Sequence, residues 1–257
     1  MKASDSLKQQ YGIEVTSSAP ERTKKELAEI EKFKKEYNKK IRTPRPSKVY
    51  KPIKLDVLKY AFKKVFEEIN DPQDGSDFKL ILTEDNRKMF DLTARYFAKD
   101  KSFNETTLTM NKPSLNKGLL FIGKYGCGKT SMMETFQEIG KRMMPNNYLW
   151  FKSMSTLDLV DEFESADNQN KELFFNKYNN ITTIYFDDFG TESDASNYGK
   201  KNLMKEILEK RYMKKKKTFL TTNLTLIQIK EKYGSRVFSR LQEMFNIIEF
   251  KGDDFRQ

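Results

Sequence analysis

The stretch Gly123-Lys124-Tyr125-Gly126-Cys127-Gly128-Lys129-Thr130 places three of the chain's 11 glycines within six positions and closes on a lysine and a hydroxyl. It fits G-x-x-x-x-G-K-[ST], with Gly123, Gly128, Lys129 and Thr130 at the fixed positions. Glycines let successive backbone N–H groups converge on a phosphate with no Cβ in the way. A helix starting here adds the positive end of its dipole. Residues 123–131, through Ser131, would then cradle a nucleoside triphosphate, Lys129 reaching its β- and γ-phosphates and Thr130 holding Mg2+. The alternative is a flexible surface turn. The flanks favour the cradle, because "LLFI" (119–122) reads as a buried strand entering it, and Met132, Met133, Phe136, Ile139 and Met143 form one helical stripe leaving it.

A second cluster closes "ITTIYFDDFG", an apolar strand that runs into Asp187 and Asp188. Asp187 is placed to hold Mg2+ through water, and Asp188 to orient or deprotonate an attacking water. Two solvated acids at a helix cap are the plainer reading. Glu192 would either support Asp188 or begin the next helix. In "TFLTTNLT", Asn223 would sit beside the γ-phosphate if this strand lies between the first and third; otherwise it is a turn residue.

These residues need a scaffold, and from Gly118 onward the pattern supplies one. Short apolar runs at 119–122, 148–151, 183–186, 218–221 and 246–250 alternate with helical patterns at 129–144, near 156–163 and at 199–213. Strands separated by helices imply βαβ crossovers, so the class is α/β: a parallel sheet of about five strands flanked by helices. Upstream, Leu55, Leu58, Phe62, Val65 and Ile69 predict a helix at 55–69, and Thr83 caps another predicted at 84–98. A helix over 21–41 carries only a thin stripe of Leu27, Ile30 and Tyr37, which suits docking better than a core. The prolines of "RTPRPSKVYKP" (42–52) make an extended linker. Residues 1–75 therefore read as a helical basic arm, and 76–257 as the phosphate-binding domain.

Composition narrows the chemistry. With no histidine and the single Cys127, the chain has no histidine catalysis, no Cys/His zinc site and no internal disulfide. Net charge is +11, and residues 1–60, with 16 Lys and Arg against 8 Asp and Glu, hold +8 of it. Such an arm is either a solvated charged helix or a surface for an acidic partner or a nucleic-acid backbone. The run Lys214–Lys217 reads as a solvated turn, with DNA contact as the alternative. The start "MKASDSLKQQYGIEV" has no apolar leader, and no run approaches membrane-spanning length, so a cytoplasmic protein with no membrane partner is expected.

The ordered set "GKYGCGKT", "IYFDDFG", "ILEKRY", "FLTTNL", "YGSRVFSRL" and "IIEFKGDDFR" resembles the AAA+ ATPases of the bacterial DnaC-like helicase-loader group, and is similar also to IstB-type transposition helpers. The resemblance covers roughly residues 84–257. It implies a P-loop (AAA+/ASCE) domain without a helical lid, with ATP and Mg2+ bound between subunits of a homo-oligomer. It implies further that Arg240, with Arg236 one turn earlier, reaches a neighbour's γ-phosphate in trans, and that Arg256 is a second arginine sensor. Lys129, Asp188 and Asn223 complete the implied catalytic set. Asp188 stands where many relatives carry glutamate, which implies slow hydrolysis. A loader would use the arm to dock a replicative DNA helicase and deliver it onto single-stranded DNA. A transposition helper would recruit a transposase, and a nucleotide-gated scaffold would barely hydrolyse ATP.

Overall fold

The computed structural model of the 257-residue chain describes residues 28, 31, 32, 52–72, 79–143, 148–167, 170–192 and 202–251. The chain divides into two units, residues 1–49 and 50–257. In the first, residues 28, 31 and 32 are helical and exposed. The Leu27/Ile30/Tyr37 stripe and most of the proline-rich linker lie outside the described residues.

The second unit opens with α1 (Leu55–Ile69) and α2 (Glu84–Phe97), then a 3-10 turn at Lys101–Glu105. Strands and helices then alternate: β1 (Gly118–Gly123), α3 (Lys129–Arg142), β2 (Lys152–Ser155), α4 (Thr156–Ser165), α5 (Lys171–Asn180), β3 (Thr183–Asp187), α6 (Leu203–Met213), β4 (Lys217–Thr222), α7 (Leu226–Met244) and β5 (Phe245–Phe250). The five strands form one sheet in the order β2-β3-β4-β1-β5, every pairing parallel. Strand β4 therefore lies between β1 and β3, the arrangement on which the reading of Asn223 depends.

Side-chain alternation along each strand feeds two cores, one on each face. Leu119, Phe121, Tyr185, Phe219 and Ile248 point to the face covered by α1, α2 and α3. Leu120, Ile122, Ile184, Phe186, Leu220 and Ile247 point to the face covered by α4 to α7. Local signals set the helix starts. Thr83 accepts the Asn86 N–H at the head of α2, Ser155 accepts the Asp158 N–H at α4, and Thr225 and Gln228 close a reciprocal capping box at α7. No described helix is long and apolar enough to cross a membrane.

Three differences from the sequence reading have physical reasons. Helix α1, read as part of the arm, belongs to the second unit. Leu58, Phe62 and Val65 are buried, and the Phe62 ring lies 4.7 Å from Phe90 and 4.8 Å from Phe136. Burying three such side chains contributes on the order of 5 kcal/mol, which holds the helix to the domain. The boundary therefore falls at 49/50 rather than 75/76. The apolar run 148–151 is not a strand: Leu149 and Phe151 plug the first core, and ladder pairing begins only at Lys152, opposite Ile184. Edge strand β2 is half-buried throughout, so the polar "KSMS" suffices. Helix α5 was not anticipated, because Leu173, 64% exposed, blurs the stripe that buries Phe174 and Tyr178.

Candidate phosphate-binding site

Strand β1 and helix α3 meet at the glycine-rich loop, as the sequence requires. Gly128 is the N-cap of α3, and Gly126 and Gly128 have φ of 74° and 87°, the left-handed region in which neighbouring N–H groups can converge. Gly123 answers to crowding instead: a Cβ there would lie 2.6 Å from the Phe250 carbonyl oxygen and 3.0 Å from Cys127 Sγ. Gly123 thus lets the loop pack against β5, while Gly126 and Gly128 let it turn back over the start of α3. Tyr125 stands exposed at the loop's tip, and the buried Cys127 thiol faces the Lys124 carbonyl at 3.0 Å. Ser131 lies in the first turn of α3, its carbonyl accepting the Thr135 hydroxyl.

Lys129 is 5% exposed and donates from Nζ to the Gly123 carbonyl at 2.8 Å, the Lys124 carbonyl at 2.7 Å and Asn223 Oδ1 at 2.9 Å. The Asn223 amide nitrogen in turn donates to Asp188 Oδ1 at 3.3 Å. One amide thus bridges the ammonium and the carboxylate, joining the tips of β1, β3 and β4. Asp188 itself has φ of 54°, a conformation costing about 1 kcal/mol or more in a non-glycine residue. Its backbone is pinned there: the N–H donates to Thr221 Oγ1, and the carbonyl accepts the Thr156 and Thr191 hydroxyls, both at 2.8 Å.

Asp187 occupies the other side of the loop. Its Oδ1 accepts the Thr130 hydroxyl at 3.0 Å and also the hydroxyls of Tyr185 and Thr221. A carboxylate and a threonine hydroxyl in contact at a helix start are hard oxygen donors, the set that suits Mg2+. The Tyr185 phenol is held well above its ordinary pKa, first by burial, then by the Asp187 charge and by donation to that carboxylate, so it stays a donor.

No family model and no curated protein sequence matches the chain. Among solved structures it is similar to the DnaC helicase loader, at 21% identity over 74% of this chain and 98% of that one, with a TM-score of 0.49. It is similar to DnaI at 21% identity, over 67% and 88% of the two chains, with a TM-score of 0.48. The AMPPCP-bound DnaA of Aquifex aeolicus matches at 17% identity over 68% of this chain and 48% of that one, TM-score 0.47.

The structure brings Lys129, Thr130, Asp187, Asp188 and Asn223 into one cluster. Arg236 and Arg240 lie elsewhere, on α7 facing α6. Arg240 pairs with Glu209 at 2.9 Å, its guanidinium 5.1 Å from the Tyr212 ring centre, and its side chain is 17% exposed. The Arg236 side chain is 74% exposed and 3.6 Å from the same carboxylate. Arg256 lies outside the described residues. Glu192 holds a structural position. It is 3% exposed and accepts the Gly190 N–H and the Tyr233 hydroxyl, stapling the loop after β3 to α7. Lys232 reinforces the staple by donating to the Gly190 and Glu192 carbonyls, and the Phe189 ring stacks on Tyr233 at 4.4 Å. Lys214 and Lys215 form an exposed turn, as the sequence reads, and only Lys217 turns inward, to the Leu115 carbonyl.

Sequence reasoning missed Tyr185 and Thr221. Period-2 alternation puts Tyr185 on the same face as Asp187, but only the β3–β4 pairing, Tyr185 opposite Phe219, brings Thr221 alongside them.

Proposed function

We propose that this protein is an ATPase of the AAA+ helicase-loader type, binding ATP with Mg2+ at the glycine-rich loop and hydrolysing it slowly. The observation that carries the reading is the Lys129–Asn223–Asp188 relay at the mouth of a glycine cradle. Loop amides and the α3 N-terminus would hold the β- and γ-phosphates, with the Lys129 ammonium as counter-charge. Asp187 and Thr130 would hold Mg2+, which when bound neutralises charge on the phosphate oxygens. Asp188 would accept the proton of the attacking water, and Asn223 would fix that water without adding charge of its own. The order of motifs supports the loader assignment, in which subunits assemble around ATP, dock a replicative helicase through the basic amino-terminal segment and pass it to single-stranded DNA. A neighbour's arginine from α7 would complete each site, and the exposure of Arg236 favours it as the residue that reaches across.

Asp188→Asn tests the enzymatic part: ATP affinity should persist within about threefold while turnover falls by about 100-fold or more. Unchanged turnover removes Asp188 from the reaction. For the partner, the full chain with ATP is offered a ring-shaped replicative helicase and, separately, a transposase. Retention of the helicase and its transfer to single-stranded DNA support loading, whereas retention of the transposase alone overturns it.

A further inference from the structure

We propose that Tyr185 and Thr221 form a hydroxyl clamp that aims the Asp187 carboxylate at a divalent cation, making triphosphate affinity depend on that cation. Asp187 stands at the end of β3, where its side chain could rotate toward the loop or away from it. Both neighbouring hydroxyls, on residues 1% and 0% exposed, converge on the same oxygen, Oδ1. The two hydroxyls also contact each other at 3.2 Å, and Thr221 Oγ1 accepts the Asp188 N–H at 3.1 Å. Thr221 is thus shared between the two acids and fixes the distance between the cation side and the water side of the site. With Oδ1 engaged by three hydroxyls, Thr130 included, Oδ2 is the oxygen left to face a cation or its water. Partners behind a metal-binding carboxylate commonly contribute 10- to 100-fold, because they hold it in one orientation.

The clamp rests on the reading that a triphosphate and Mg2+ bind at this loop. The experiment titrates a fluorescent, non-hydrolysable ATP analogue into the full-length protein, in EDTA and across a Mg2+ series. Variants are Tyr185→Phe, Thr221→Val and Thr221→Ser, each checked for folding by circular dichroism. Expected is a rise of about tenfold or more in the Mg2+ concentration for half-maximal binding in the Phe and Val variants. Affinity in EDTA should stay within about twofold, and Thr221→Ser should restore the wild-type response. Wild-type cation dependence in both variants, equal losses with and without Mg2+, or failure of serine to rescue would overturn the clamp alone. A wild-type chain that binds no analogue in either buffer overturns the triphosphate reading and the clamp together. Should Tyr185→Phe fail to fold, the Thr221 pair decides.

Discussion

The sheet buries a cation at each end, and the two are held in different ways. Arg211 of α6 is fully buried at the end where β4 begins. It donates to the carbonyls of Tyr178, Ile181 and Lys217 and to the Thr218 hydroxyl, at 2.7 to 2.9 Å. Lys129 sits at the opposite end, on two loop carbonyls and an amide. Arg211 is a planar fork with three of its four acceptors on fixed backbone, joining α5, the residue that caps it, β4 and α6. Lys129 is a point charge on a flexible stem, and one of its partners, Asn223, is itself tied to Asp188. The first arrangement can only hold elements together, whereas the second can exchange a partner for an incoming phosphate. A buried cation on neutral acceptors is therefore not in itself a binding site. Whether its acceptors can be replaced decides that.

The largest effect separating the two ends should come from Arg211→Leu, which removes a buried donor from three carbonyls and should cost about 3–5 kcal/mol, read from the urea midpoint. Lys129→Ala should do the reverse: stability within about 1 kcal/mol of wild type, but ATP affinity down by about 100-fold, the equivalent of about 3 kcal/mol. If Lys129→Ala unfolded the chain while Arg211→Leu left it stable, the contrast would be reversed. Asn223→Ala sharpens the picture by cutting the link between ammonium and carboxylate. Turnover should fall by about 100-fold with affinity within about threefold, and loss of binding instead would make Asn223 a mere prop for Lys129.

The smallest effect concerns Lys217, beside Arg211. Its Nζ donates to the Leu115 carbonyl and lies 5.3 Å from the Tyr96 ring centre. Burial, and then the Lys99 charge, lowers its pKa to about 8 from an ordinary 10.5. The unfolded chain therefore binds more protons between these values, so Lys217's contribution to stability rises as pH climbs from about 8 to 10.5. Lys217→Met should remove that rise, measured as the wild-type-minus-variant difference in unfolding free energy; a difference flat with pH would contradict the burial.

The loop, both aspartates and Asn223 were legible because each closes an apolar strand run, and strand ends are where a parallel sheet gathers its polar residues. Tyr185, Thr221 and Arg211 were not, since a tyrosine or threonine in a strand and an arginine on a helix are ordinary residues until pairing places them. The partners of Glu192 were hidden for a related reason: Gly190 and Tyr233 lie two residues away and on a distant helix.

By itself the sequence determined the α/β alternation, the cradle and the acids that face it, because hydrophobic period, glycine spacing and charge at strand ends act over a few residues. Tertiary structure alone decided that β4 enters between β1 and β3, that α1 joins the core, and which hydroxyls orient Asp187. Those contacts join residues tens of positions apart, and their geometry exists only once the sheet has paired.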